Sequence, residues 1–463
     1  MGKELFYKNE ISLKKENHEN YEKFSGEYMN FLDYAKTERR SVKFLKDLLS
    51  SNGFVDLEKA ERENIQTDKY YITRDDKVLV AFNLTDNIED GFNMIAAHVD
   101  SPRLDFKPNP IEEKEEIALI KTHYYGGIKK YQWLNIPLAI VGTVIMNDGS
   151  KKEIECGLDD NDPVFVVSDL LPHLDNRKGE VSKVFLGKNL QAIASSLPIC
   201  NEDDQNDKED LVKANLLKIV NEKYGLKEED FIKSEFQMVP TFKSKFVGFD
   251  KGLIGAYGHD DRVCSYTAIK ALTDSQKLKK SASVLLFDKE EIGSEGISGA
   301  KSEFWAHAFE RVLYLKGIKD PVFKTHLIFD KSDMLSGDVC AAVNPLYSDV
   351  HDPTNSPRVH YGIGICKYTG ARGKSGTNDA SAELIGKIVN LFNKYNVGWQ
   401  ITILGEVDQG GGGTVAKFFS EKGVNVIDAG TPTIGMHSPY ELISKIDLYE
   451  TYNAYKCFLE NND

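Results

Sequence analysis

The chain has 463 residues, 41% of them hydrophobic, enough to bury a sizeable core and to form two domains. A formal net charge of −14, with Lys and Arg dispersed and no basic stripe, excludes a nucleic-acid partner. The longest apolar run, 136–146, is too short to cross a bilayer, the N-terminus has no apolar signal core, and the 6 cysteines show no Cys-x-x-Cys spacing, so a reduced, cytoplasmic protein without a membrane partner is expected.

In chain order, the aromatic spacing of Tyr21, Phe24, Tyr28, Phe31 and Tyr34 predicts a helix over 18–50, its rings in the core. Strands follow at 78–84 and 92–98. Residues 105–245 then read as an interruption, with strands at 117–122, 138–146 and 164–168 and a hairpin turn at Asn147-Asp148-Gly149. The polar, mostly acidic stretch 201–210 is expected to be an exposed loop tip. After 245, strand and helix patterns alternate up to a final helix near 439–460. Ser438, Pro439 and Glu441 read as its N-cap, N1 and N3, a capping box. The expected fold class is α/β, a mixed sheet with helices on both faces plus an inserted β-rich domain. The expected domains are 1–104 and 246–463 for one core and 105–245 for the insertion.

The chemistry concentrates in a few short blocks. Glu290 and Glu291 follow the apolar run 283–287 and precede the glycine turn at Gly293. On an extended segment the two carboxylates point in different directions. One is expected to bind a metal, and the other to take a proton from a water that attacks a carbonyl. His98 ends an apolar strand, and Asp100 is placed to orient its ring, as carboxylates do for metal-ligating histidines. Asp260 or Asp261 either caps the helix that follows or bridges two cations. Asp338 sits on a small-residue turn, and His437 lies just outside the final helix. The candidate ligands are therefore His98, Asp260, Glu291, Asp338 and His437, with Glu290 as base. Two imidazoles and three carboxylates suit a pair of divalent cations, zinc first and cobalt or manganese as substitutes.

In that order the blocks 97–102, 260–261, 288–295, 336–338 and 436–438 resemble the aspartyl aminopeptidase/aminopeptidase I family of cocatalytic dizinc exopeptidases. The resemblance runs from about Thr37 to the end. Glutamyl and deblocking aminopeptidases of the same clan share the Asp-Asp-Arg and Glu-Glu blocks. The resemblance implies Asp260 as the bridging carboxylate, with Asp261 as second choice and a cis peptide between them. It implies His98 and Asp338 on one metal, Glu291 and His437 on the other, and Glu290 as proton shuttle. It also implies that the insertion joins subunits into dimers and then a closed dodecamer acting on peptides. Lys367 matches the place of a family Lys that meets an acidic substrate side chain.

There are departures. Asn135 and Ile136 stand where the family carries an acidic-basic pair, and Arg177 stands where a second His follows the Leu171-Pro172-His173 segment. His173 is the remaining candidate for reaching a neighbour's site, and neutral residues such as Leu are an open alternative to acidic ones. The run Gln409 to Thr414, with Gly411 and Gly412 at its centre, is expected to line the substrate pocket with backbone; a backbone anion cradle and a simple tight strand-to-helix turn are the other readings. Gly373-Lys374-Ser375 fails as a phosphate loop, because Tyr368 occupies the first glycine position. The resulting expectation is a zinc metalloaminopeptidase. A dipeptidase or amide deacylase of the same clan, and a non-catalytic metal-stabilised assembly protein, are the alternatives.

Overall fold

Strands buried along their whole length organise the larger of two compact units, which comprises the chain up to Ser101, Ser244–Met436 and the segment from Tyr440. The computed structural model describes residues 5, 7, 9–199 and 210–461; nearly all of the predicted acidic loop tip lies outside them. The unit is built on a nine-stranded sheet in the order Val55–Asp56, Lys69–Arg74, Val78–Asn83, Ser281–Phe287, Phe92–His98, Asp333–Ser336, Asn425–Gly430, Ile363–Cys366, Trp399–Thr402. Its four middle strands, from Ser281–Phe287 to Asn425–Gly430, are parallel neighbours. Their register puts Phe287 opposite His98, and Ser336 opposite both Ala96 and Asp428.

Both faces of these strands are apolar, as a sheet covered on two sides requires. Ile95, Ala97, Val284 and Leu286 pack on one side against helices His18–Tyr34, Glu38–Ser51, His259–Asp274, Ala382–Lys394 and Lys445–Glu460. Met94, Ala96, Leu285 and Phe287 pack on the other against helices Leu57–Glu63, Phe304–Leu315 and Pro321–Phe329. A second sheet of the unit runs Lys245–Val247, Leu253–Ala256, Glu441–Ser444, Pro432–Ile434, Cys340–Ala341.

The other unit is Pro102–Lys243 together with His437–Pro439. It carries a six-stranded antiparallel sheet in the order Lys151–Cys156, Leu138–Ile145, Ser234–Pro240, Arg103–Lys114, Ile117–Tyr125, Gln191–Ser195. The turn at 147–149 joins its first two strands, with Met146 N–H bonded to the Ser150 carbonyl. Helix Leu211–Tyr224 covers a core of Ile111, Val144, Ile154, Phe231 and Phe236.

Three local expectations are corrected. The single helix over 18–50 is two, His18–Tyr34 and Glu38–Ser51, because the Thr37 side chain accepts Arg40 N–H and starts a new helix. The stretch 164–168 is no strand; it makes only isolated bridges, Phe165 to Leu138 and Val166 to Ile193. The final helix is Lys445–Glu460, not 439–460. Residues 441–444 pair instead as a strand with 253–256, and Ser444 caps the helix by accepting Ile446 and Asp447 N–H. Cross-strand pairing of Leu442 and Ile443 outweighs the capping box at Ser438.

Candidate metal centre

The middle strands release their chains at one edge, where open α/β sheets bind ligands. His98 is the last residue of its strand, and its backbone is held on both sides. Its N–H donates to Asp261 Oδ2 at 3.3 Å, and its carbonyl accepts from Ser265 Oγ at 2.6 Å. The ring Nδ1 lies 3.0 Å from the Asp100 carbonyl and 3.3 Å from Asp100 Oδ1. This directs Nε2 at Asp260 Oδ1, 3.2 Å away, with Asp338 Oδ1 at 3.9 Å.

Asp100, fully buried, also accepts from the next strand's loop. Glu290 N–H donates to its Oδ1 and Glu291 N–H to its Oδ2, both at 3.2 Å. The expected extended placement of the two glutamates is corrected: they leave the strand and form a short 3-10 turn, Glu290–Ile292, after Lys289 at φ 69°. One carboxylate thus ties the histidine to the glutamate pair.

Asp260 and Asp261 open the helix His259–Asp274 with non-helical dihedrals, and the peptide between them is cis. Gly258 precedes them at φ +82°, and a Cβ there would lie 1.8 Å from an Arg262 nitrogen and 3.2 Å from Ser101 Oγ, so only glycine fits. Asp260 is fixed through its backbone: Ser101 Oγ donates to its carbonyl at 2.5 Å, and its N–H donates to Glu441 Oε2 at 3.1 Å. Asp338 follows Gly337, whose N–H bonds the Ala96 carbonyl at 2.6 Å.

Donor atoms of His98, Asp260 and Glu291 lie within 4.8 Å of one another; so do those of His98, Glu290 and Asp338, and those of Asp260, Asp261 and Asp338. Burial pushes the Asp338 carboxyl well above its ordinary range; Glu290, Asp261 and Asp260 push it further, against the pull of His98. Burial likewise raises Asp261, and Asp260 adds to it. Burial works against a charged His98, yet Asp100 and Asp260 hold its pKa well above the usual value. One imidazole is surrounded by more carboxylate than it can neutralise. The donor set, N and O atoms on a partly buried wall, fits borderline divalent cations such as zinc, whose charge would relieve that repulsion.

The remaining predicted residues are not members of these groups. His437 belongs to the second unit, where its Nδ1 donates to the Gly127 carbonyl at 2.8 Å, a bond that sets the tautomer with Nε2 as acceptor. Lys367 is half-exposed and paired with Asp379. Gly411 and Gly412 pack on the 370–371 segment: Gly370 N–H donates to the Gly412 carbonyl at 2.7 Å, and Gly411 approaches Ala371. His173 is exposed, and Arg177 is held by Asp169 and Asp175. His259 is a packed core residue, with Tyr28 O–H donating to Nδ1 and Nε2–H donating to the Ile254 carbonyl. His360 is tied to Ser444 and Asp447. Glu441, first read as part of a helix cap, is the missed contributor. Its place opposite Ala256, next in chain to the Tyr257-Gly258-His259-Asp260 run, is set by strand pairing that no local pattern reveals.

The model of the aminopeptidase I zinc metalloprotease (M18) family matches residues 31–459. A probable M18 family aminopeptidase 1 of Thermotoga maritima is 50% identical over 442 residues, covering 96% of each chain. The crystal structure of a Thermotoga maritima M18 aminopeptidase superposes with a TM-score of 0.95 at 48% identity, over 99% of this chain and 100% of that one. The fold is also shared with the S. cerevisiae mApe1 dodecamer, at a TM-score of 0.73 and 22% identity, over 95% of this chain and 97% of that one.

Proposed function

The chain belongs to the aminopeptidase I zinc metalloprotease (M18) family and is a peptide hydrolase, and on that premise we propose that it removes N-terminal residues from peptides using two zinc ions per chain with Glu290 as general base. The observation that carries this reading is the sharing of Asp260. Its carboxylate shares a donor group with His98 and Glu291 and another with Asp338, so it is grouped with residues assigned to both cations, as a bridging ligand must be. His98 and Asp338 would hold one zinc, and Glu291 with His437 the other. His437 is assigned on its sequence block and on the Nδ1 bond that leaves Nε2 as the ligating nitrogen.

Zinc bound there would polarise the scissile carbonyl and acidify the attacking water. Glu290 then takes the proton of that water and returns it to the leaving amine. Its grouping with His98 and Asp338, and its backbone bond to Asp100, support that role. Asp100 acts as a positioning residue by orienting His98. Lys367 and the backbone of Gly411 and Gly412 are proposed to bound the pocket for the N-terminal side chain.

The unit containing the insertion is proposed to join copies into dimers and a dodecamer. Its exposed Leu170, Leu171, Leu174 and Val181 support the assignment, because a sheet domain with such a surface needs covering. The proposed location is the cytoplasm: the five described cysteines are free, and no described helix is long and apolar enough to cross a membrane. Zinc analysis with an aminoacyl-anilide panel tests the reading. Activity should rise until two zinc ions are bound per chain. Full activity at one zinc contradicts the pair, and cleavage of N-acylated but not free peptides favours a deacylase.

A further inference from the structure

Lys367 already has a carboxylate. Its Nζ lies 2.6 Å from Asp379 Oδ1, and Lys374 Nζ lies 2.9 Å from Asp379 Oδ2. The Lys374 ammonium also sits 3.9 Å over the Tyr368 ring. A hairpin makes this arrangement: Tyr368 bridges to Asp379, and Ala371 to Ser375. The Gly370–Gly412 bond ties the hairpin to the glycine run, and at the end of that run Thr414 O–H donates to buried Asp428 at 2.7 Å. Two ammonium groups therefore clasp one carboxylate beside the backbone proposed to line the substrate pocket. Lys367 first, then Lys374, hold Asp379 below the usual carboxylate range, so it is ionised at neutral pH.

Two cations around one carboxylate is the arrangement that would recognise the side chain of an N-terminal Asp or Glu. Here the chain supplies that carboxylate itself. An acidic substrate would have to displace Asp379 and approach a local charge of one positive rather than two. A neutral side chain has no such competition. We infer that Asp379 is a selectivity residue, a built-in carboxylate that occupies the Lys367–Lys374 pair and biases the enzyme against acidic N-terminal residues. The inference rests on the proposed position of Lys367 at the pocket, and it extends that reading to a residue with no role in hydrolysis.

The test compares kcat/KM for Glu- and Leu-anilides in wild type, Asp379→Asn, Asp379→Glu, Lys367→Met and the Asp379→Asn/Lys367→Met double variant. Asp379→Asn should raise the Glu/Leu ratio roughly fivefold, the scale of one exposed ion pair. Asp379→Glu should return the ratio to that of wild type. The gain should vanish when Lys367→Met is added, because the two residues act on one another. A ratio unchanged by Asp379→Asn, or a gain that survives loss of Lys367, overturns the inference while leaving the aminopeptidase reading in place. Wild type that hydrolyses neither anilide overturns the aminopeptidase reading, and the selectivity claim with it.

Discussion

Asp100 illustrates how much of the centre one side chain organises. It faces the His98 ring and accepts the N–H groups of both Glu290 and Glu291. Asp100→Asn keeps the shape but replaces one acceptor oxygen with an amide that repels an N–H. Carboxylates that orient metal-ligating histidines are worth about 10–100-fold in metal affinity, so Asp100→Asn should weaken zinc by that factor in chelator competition; unchanged affinity would deny Asp100 this role. Asp260 and Asp338 separate by the same reasoning. If Asp260 bridges, Asp260→Asn should empty both zinc positions, while Asp338→Asn should mainly lower one, read as zinc per chain after dialysis. Equal losses in the two variants would remove the bridge. The residues of this cluster were legible in sequence because each lies within a residue or two of the strand end, turn or helix start that presents it. Glu441 and Asp379 were not. Their partners, Asp260 and Lys367, are respectively 181 and 12 residues away, and only tertiary pairing or a hairpin brings them together.

The helices behind the centre are joined to it through His259. Tyr28 of helix His18–Tyr34 donates to Nδ1, and the Leu253–Ala256 strand accepts from Nε2. Burial lowers the His259 pKa to about 3, whereas an unfolded histidine titrates near about 6.5. Between these values the unfolded chain binds more protons, so the stability due to neutral His259 is complete above the unfolded pKa and is lost as pH falls towards the folded one. That contribution amounts to as much as about 5 kcal/mol. Urea unfolding followed across this window should show it, and His259→Gln should remove that part of the slope; an unchanged slope would mean the ring is not held neutral. Tyr28→Phe leaves Nδ1 without its donor and should cost about 1–3 kcal/mol at neutral pH. Element types were largely readable from period, since strands buried on both faces and amphipathic helices differ in pattern. Boundaries failed where tertiary pairing competed with a local cap, as at Ser438, where the strand register of Leu442 and Ile443 prevailed.

For the whole molecule, the placement of His98 before the insertion and Asp260 after it explains why one core is assembled from distant segments. Motif order made that organisation readable. The second unit was less so: the stretch 164–168 lends single residues to two different strands. Its proposed role predicts a large particle in light scattering, a dodecamer at working concentration. A monodisperse, fully active monomer would contradict that role. The central claim is a zinc-dependent hydrolysis whose proton is handled by Glu290, and the most direct measurement is zinc content and Leu-anilide turnover of Glu290→Gln on the same preparation. Two zinc ions per chain with turnover reduced by about 10²–10⁴-fold is the predicted result. Wild-type turnover in a variant that keeps its zinc would contradict it.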